Sequence, residues 1–249
     1  MKNLPRIFFL LVSFLLLAVV LFAAGDGKLH VYYVNVGQGD AEYIIFPDGS
    51  NMLIDGGPDS TPSTSNPIIY FLAGKGISFG AGKLDRMMLS HDHSDHYSGL
   101  SAVYGVGITV DTYYDSFIGS GAGSLRSTAK ARSNWVDTKT LPNSNTTPLF
   151  TVTNSTPPVY VYLLHNGTAF PYDPLESEND YSLVVRIVFG NSTFIFGGDA
   201  GASGSYRPLE GWLVNQYGSS LQSDMYKVHH HGSSTSSSSN FLSYLKPRY

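Results

Sequence analysis

LSHDHSDHYSGL, residues 89–100, places three of the chain's eight histidines and two aspartates within six consecutive positions. Imidazole nitrogens and carboxylate oxygens are donors that bind divalent metal ions. A second cluster, VHHHGSS at residues 228–234, supplies three more histidines. One such cluster could be an ordinary polar loop, but two point to a metal site. The preceding LDRMMLS, residues 84–90, reads as a buried strand that delivers the first cluster at its end, where layered α/β folds hold their ligands.

A length of 249 residues suits one layered α/β or all-β unit. Charged residues make up 14% and the net charge is −4, so any polyanion has to be held locally rather than by a basic surface. Cysteine is absent, which excludes disulfides and thiolate ligands and leaves a site of nitrogen and oxygen donors.

Lys2 and Arg6 precede an apolar run from residue 7 to residue 24, an export signal or a membrane anchor. Phe22 occupies a position that a clean cleavage site reserves for a small residue, so the first expectation for residues 1–24 is an uncleaved anchor and the second a cleaved signal peptide. The positive-inside rule leaves the rest of the chain extracellular, membrane-anchored or secreted. Sequons at Asn145, Asn154, Asn166 and Asn191 fit that side, but chance also produces them in a chain rich in Asn, Ser and Thr.

The pattern predicts strands over residues 29–35, 41–46 and 51–54 as an opening meander, broken at Gly37, Gly39 and the Pro47-Asp48-Gly49 turn. A short helix follows over 67–74, and one more is expected around 124–136. Strands return at 158–164, 182–189 and 192–196, the last two joined as a hairpin at Gly190-Asn191. A helix over 207–217, a short strand over 225–228 and a helix over 240–245 complete the order. It suggests two β-sheets with helices outside rather than an alternating βαβ chain.

Within H-x-H-x-D-H, an extended backbone would turn His91 and His93 to one cation and Asp95 and His96 to another. This motif after an apolar strand resembles the signature of the metallo-β-lactamase fold superfamily. VNVGQGDAEYIIFPDGSNMLIDGG narrows the likeness to the extracellular metal-dependent hydrolase domain of the DNA-uptake protein ComEC and its free-standing relatives. NDYSLVVRI (179–187), FIFGGDA (194–200) and KVHHHGSSTSSSSNFLSYLKP (227–247) follow in the same order. The resemblance covers about residues 29–249. The relatives continue beyond LKPRY, so the domain either ends early here or is a fragment.

The resemblance implies an α/β fold, an αββα sandwich of two mixed β-sheets with outer helices, holding two divalent metal ions, Zn or Mn. The metal ligands it implies are His91, His93, Asp95, His96, Asp199 and His230, with Asp199 bridging the ions. Asp95, Asp199 and His231 are the implied catalytic residues, with His231 beside the metals or on substrate, and His229 is a bystander. Asp55, Asp40, Asn179, Lys227 and Ser233 support the metals or meet substrate. His165 is left open between a further ligand and an ordinary strand-end histidine.

The implied reaction is hydrolysis by a hydroxide that the paired cations generate near neutral pH. A phosphodiester is the expected electrophile, which makes the chain a phosphodiesterase or nuclease acting on DNA that is short or single-stranded, or on a small phosphodiester. An ester, lactone or lactam hydrolase would use the same site, and a non-catalytic metal-binding surface module is the other class. No protein partner is predicted, and the membrane is reached through the N-terminal anchor.

Overall fold

The computed structural model describes residues 25–168, 178–202 and 209–249. The anchor or signal expected over 1–24, and the start of the helix expected over 207–217, lie outside these residues. The first sheet begins as the expected meander of β1 (His30–Tyr33), β2 (Glu42–Ile45) and β3 (Asn51–Ile54). It then grows by parallel addition of β4 (Lys83–Met88), β5 (Thr109–Asp115) and β6 (Asn134–Asp137). Helices α1 (Pro67–Gly74), α2 (Ser94–Gly105) and α3 (Gly123–Arg132) make the crossovers.

This half of the chain therefore alternates strand and helix, against the sequence expectation. The expected helix over 124–136 also stops at Arg132, because Ser133 is extended and Asn134–Asp137 pairs with β5. The second sheet holds β7 (Phe150–Val152), β8 (Val159–His165), β9 (Val184–Phe189), β10 (Ser192–Phe196) and β11 (Met225–Tyr226). Its order is β11-β10-β9-β8-β7, antiparallel except for the β10/β11 pair. Helices α4 (Leu209–Tyr217) and α5 (Ser239–Leu245) cover it.

Alternation along the strands explains how these elements stack. Ile44, Phe46, Met52, Ile54, Met88 and Tyr114 point between the sheets, where they meet Val161, Leu163, Val185, Ile187 and Phe196. Their neighbours Tyr43, Leu53, Met87 and Tyr113 point outward, against Ile68, Leu72, Leu100, Val103 and Leu125 of α1, α2 and α3. Leu209, Leu213, Phe241 and Leu245 cap the far face on Leu164, Val184 and Ile195. Each fully buried aliphatic side chain adds about 1.5–3 kcal/mol, and the result is the expected αββα sandwich.

The parallel pairs decide where chemistry can gather. Because β3 and β4 run in parallel, Asp55 and the 89–96 loop leave the first sheet at one edge. Because β10 and β11 run in parallel, residues 197–199 and 227–231 likewise leave the second sheet together.

Candidate metal centre

H-x-H-x-D-H is not one extended run: the chain bends at His91 and Asp92 and turns helical from Ser94. His93 is the cap of α2, with φ −89° and ψ 146°, and Asp95 and His96 stand in its first turn. The helix therefore separates the two pairs without the alternation expected of a strand. His91 Nε2 and His93 Nδ1 face each other at 3.0 Å, and His91 Nε2 lies 3.7 Å from Asp199 Oδ2. On the other side of Asp199, its Oδ1 is 3.3 Å from His96 Nε2 and its Oδ2 is 3.3 Å from His231 Nε2.

Two groups of donors result. His91, His93 and Asp199 converge in one; Asp40, His96, Asp199 and His231 converge in the other, with Asp199 in both. Asp95 Oδ2 borders the second group, 3.4 Å from His231 Nε2.

The outward nitrogens are occupied, which leaves the inward lone pairs available. Asp55 takes His96 Nδ1–H on Oδ2 at 2.8 Å, and Ser90 donates its hydroxyl to the same oxygen at 2.6 Å. With its proton committed there, Ser90 Oγ accepts from His91 Nδ1 at 3.0 Å. Asp40 Oδ1 faces His231 Nδ1 at 3.1 Å, and Glu178 Oε2 lies 3.2 Å from His93 Nε2. Each ring is turned so that one nitrogen points at the centre.

Burial would raise the Asp199 carboxyl, but contacts with His231 and His96 hold it far below the ordinary range. Burial opposes charge on His96 as well; Asp55 and Asp199 overcome it and push its pKa up to about 10. Contacts with Asp199, Asp40 and Asp95 raise His231 to about 11. His231 in turn holds Asp95 down to about 2. Burial, then the neighbouring His96, pushes His91 well below its usual value, so it is neutral at pH 7. The pocket thus demands positive charge at its centre.

Divalent ions fit these residues. His96 Nε2 and Asp199 Oδ1 are both buried and face each other without hydrogen-bond alignment, an arrangement a shared cation would satisfy. The donors are nitrogen and oxygen only, which suits Zn or Mn.

The structure departs from the sequence expectation at the last cluster. His231, not His230, joins the second group. The backbone is left-handed at both, with φ 49° at His230 and 51° at His231, and this turn swings the second ring inward, 5.3 Å from His96. His230 Nε2 stands 3.8 Å from Asp199 and 3.5 Å from the Asn179 amide, while its Nδ1 meets Thr235.

His165 lies in neither group. It is buried at the end of β8, donates Nδ1–H to the Ser182 carbonyl at 2.8 Å and packs on Trp212; burial lowers its pKa to about 4. Lys227 donates to Asp40 Oδ2 at 2.5 Å and to the Val228 carbonyl, so it supports the second group through Asp40, whereas Ser233 contacts Thr235 within its own loop.

Three supports escape the sequence pattern. Asp92, between the two first histidines, turns away from the centre and accepts from Gly121 N at 2.7 Å and Ala122 N at 2.6 Å, beside Arg126. Arg126 is itself gripped by Asp115. Glu178 has no distinguishing motif. His229, expected to be a bystander, is fully buried and paired with Glu210 at 2.9 Å, and Glu210 also accepts from Ser237 N and Ser238 N, anchoring the loop to α4.

A two-sheet αββα sandwich with convergent histidines and a shared aspartate at its strand ends defines a class, and the family comparison agrees. The family model described as "Metallo-beta-lactamase superfamily" matches residues 35–249, and the chain belongs to that superfamily, whose members are generally hydrolytic metalloenzymes. More particularly, it is 29% identical over 237 residues to competence protein ComA of Neisseria gonorrhoeae, a match that covers 91% of this chain and 27% of that protein. The chain thus spans about a quarter of the relative's length.

Among solved structures, it resembles a Cronobacter sakazakii metallo-beta-lactamase at 12% identity and TM-score 0.47, covering 90% of this chain and 89% of that one. It also resembles the metallo-beta-lactamase fold protein YhfI of Bacillus subtilis at 14% identity and TM-score 0.41, covering 82% and 66%.

Proposed function

We propose that the chain is an extracellular metal-dependent phosphodiesterase. The observation that carries the reading is the sharing of Asp199 between two converging donor groups, an arrangement suited to clamping both sides of a displacement at phosphorus. The order of motif segments, which resembles the ComEC hydrolase domain, and the likeness to a competence protein favour a phosphodiester over a lactam. The apolar run that follows Lys2 and Arg6 supports export, as an anchor or a cleaved signal.

His91 Nε2, His93 Nδ1 and Asp199 would hold one ion; His96 Nε2, His231 Nε2 and Asp199 would hold the other, with Asp40 and Asp95 at its border. Bound divalent ions supply Lewis acidity and acidify water. Asp55, Ser90 and Asp40 keep the ring nitrogens aimed, so the centre needs no rearrangement during reaction. His230, partly exposed and with Nε2 beside Asp199, is placed to pass a proton to a leaving oxygen.

The test is hydrolysis of bis(p-nitrophenyl) phosphate by the full chain with Mn²⁺ or Zn²⁺. Turnover should require metal, and Asp95→Ala, at a partly exposed position outside the apolar cores, should lower it about 10–100-fold. Hydrolysis of carboxylic esters or lactams, with none of the phosphodiester, would contradict the reading.

A further inference from the structure

A cavity of about 450 Å³ opens beside the second donor group. Tyr33 and residues 37–40 form one wall, residues 226–228 with 231–232 form the other, and Asp40 and His231 belong to both cavity and centre. Its volume lies within the range of about 300–1,000 Å³ typical of small-molecule clefts.

We infer that this cavity is a subsite for a neutral planar ring, a nucleobase, joined to the phosphodiester at the centre; the inference rests on the phosphodiesterase reading. Two of the seven large apolar side chains exposed among the described residues, Tyr33 and Val228, both line it, each 46% exposed. Together they give the cavity an apolar lip next to polar groups, the make-up of a ligand pocket.

Tyr33 packs on Phe196, ring centroids 6.3 Å apart and tilted by 35°, and its exposed remainder offers aromatic surface for a stacking partner. Among the described residues, the charged groups of the walls are paired with one another, Lys227 and His231 both with Asp40. Among these residues a second phosphate therefore finds no spare cation, and a choline-like group no spare carboxylate. A base seated beside the reacting phosphate has left any helical stack, so unstacked nucleotides are the substrates this geometry selects.

Three esters with one leaving group test this on the metal-loaded full chain: thymidine 5′-(p-nitrophenyl phosphate), methyl p-nitrophenyl phosphate and p-nitrophenyl phosphocholine. The thymidine ester should be preferred by about tenfold or more in kcat/KM, chiefly through KM, given the strength of base–aromatic stacking. Tyr33→Ala should collapse the preference toward unity, and Tyr33→Phe should keep it.

Equal kcat/KM for all three, or a loss in Tyr33→Ala that is the same for each, overturns the subsite and leaves the phosphodiesterase reading standing. If none is hydrolysed, that reading falls. Calorimetry of thymidine 5′-monophosphate against inorganic phosphate then decides the subsite. Tighter binding of the nucleotide, lost in Tyr33→Ala, supports it, and equal binding overturns it.

Discussion

Each histidine at the centre is useful because of what holds its far side. Asp55 is the clearest case, since one carboxylate accepts from Ser90 N, Ser90 Oγ and His96 Nδ1. An amide would present N–H groups to two of those donors. Asp55→Asn should therefore weaken metal binding by about 10–100-fold, measured by chelator competition on protein shown to be folded; unchanged affinity would contradict the assignment.

The same environment sets the pH dependence. The pKa values of His96 and His231 are raised above the ordinary 6.5 to about 10 and about 11. Their stabilisation of the metal-free chain is fully present below pH 6.5 and is lost as pH rises through those folded values. At pH 7 both rings carry protons that an ion must displace, so affinity should rise with pH, with about two protons released per chain from these rings. Calorimetry in buffers of differing ionisation enthalpy counts them, and binding without proton release would be the contrary result.

At the scale of elements, α2 shows why part of the fold hides from its sequence. SDHYSGLSAVYG has weak helix formers and an interior glycine. That glycine is a tertiary requirement, because a Cβ at Gly99 would stand 1.8 Å from the Gly56 carbonyl oxygen. Gly99→Ala, ordinarily stabilising in a helix by about 1 kcal/mol, should here lower the melting temperature, and a rise would refute the close approach.

Gly39 is constrained in the same way against the Asp95 carbonyl, so the glycine-rich loop fits only beneath this helix. The metal-binding types in H-x-H-x-D-H were legible because their chemistry is intrinsic to the residues. The one-residue shift at His230 and His231 was not, because a left-handed turn leaves no periodic trace. Partners such as Glu210, 19 positions from His229, become visible only when the chain is folded. Asp92, fixed on the start of α3, makes the point testable: Asp92→Ala should weaken the ion held by His91 and His93 more than the other, seen in the electronic spectrum of Co²⁺-loaded protein. Equal weakening of the two ions would count against it.

For the whole molecule, the two sheets are scaffolds whose parallel pairs bring two loops from each half to one centre, and the three cores hold them apart at fixed spacing. With a net charge of −4, the chain offers little long-range attraction for duplex DNA. Single-stranded oligonucleotides should be cut faster than the same strands in duplex, by about tenfold or more given the cost of unstacking a paired base; equal rates would place recognition elsewhere.

The sharing of Asp199 is what makes one centre of these parts, and metal stoichiometry tests it most directly. Equilibrium dialysis of the full chain against Zn²⁺ or Mn²⁺ should give two ions per chain, one for each donor group, and Asp199→Asn should weaken both. A single ion in the unaltered chain, or two ions retained at full affinity in Asp199→Asn, would contradict the account.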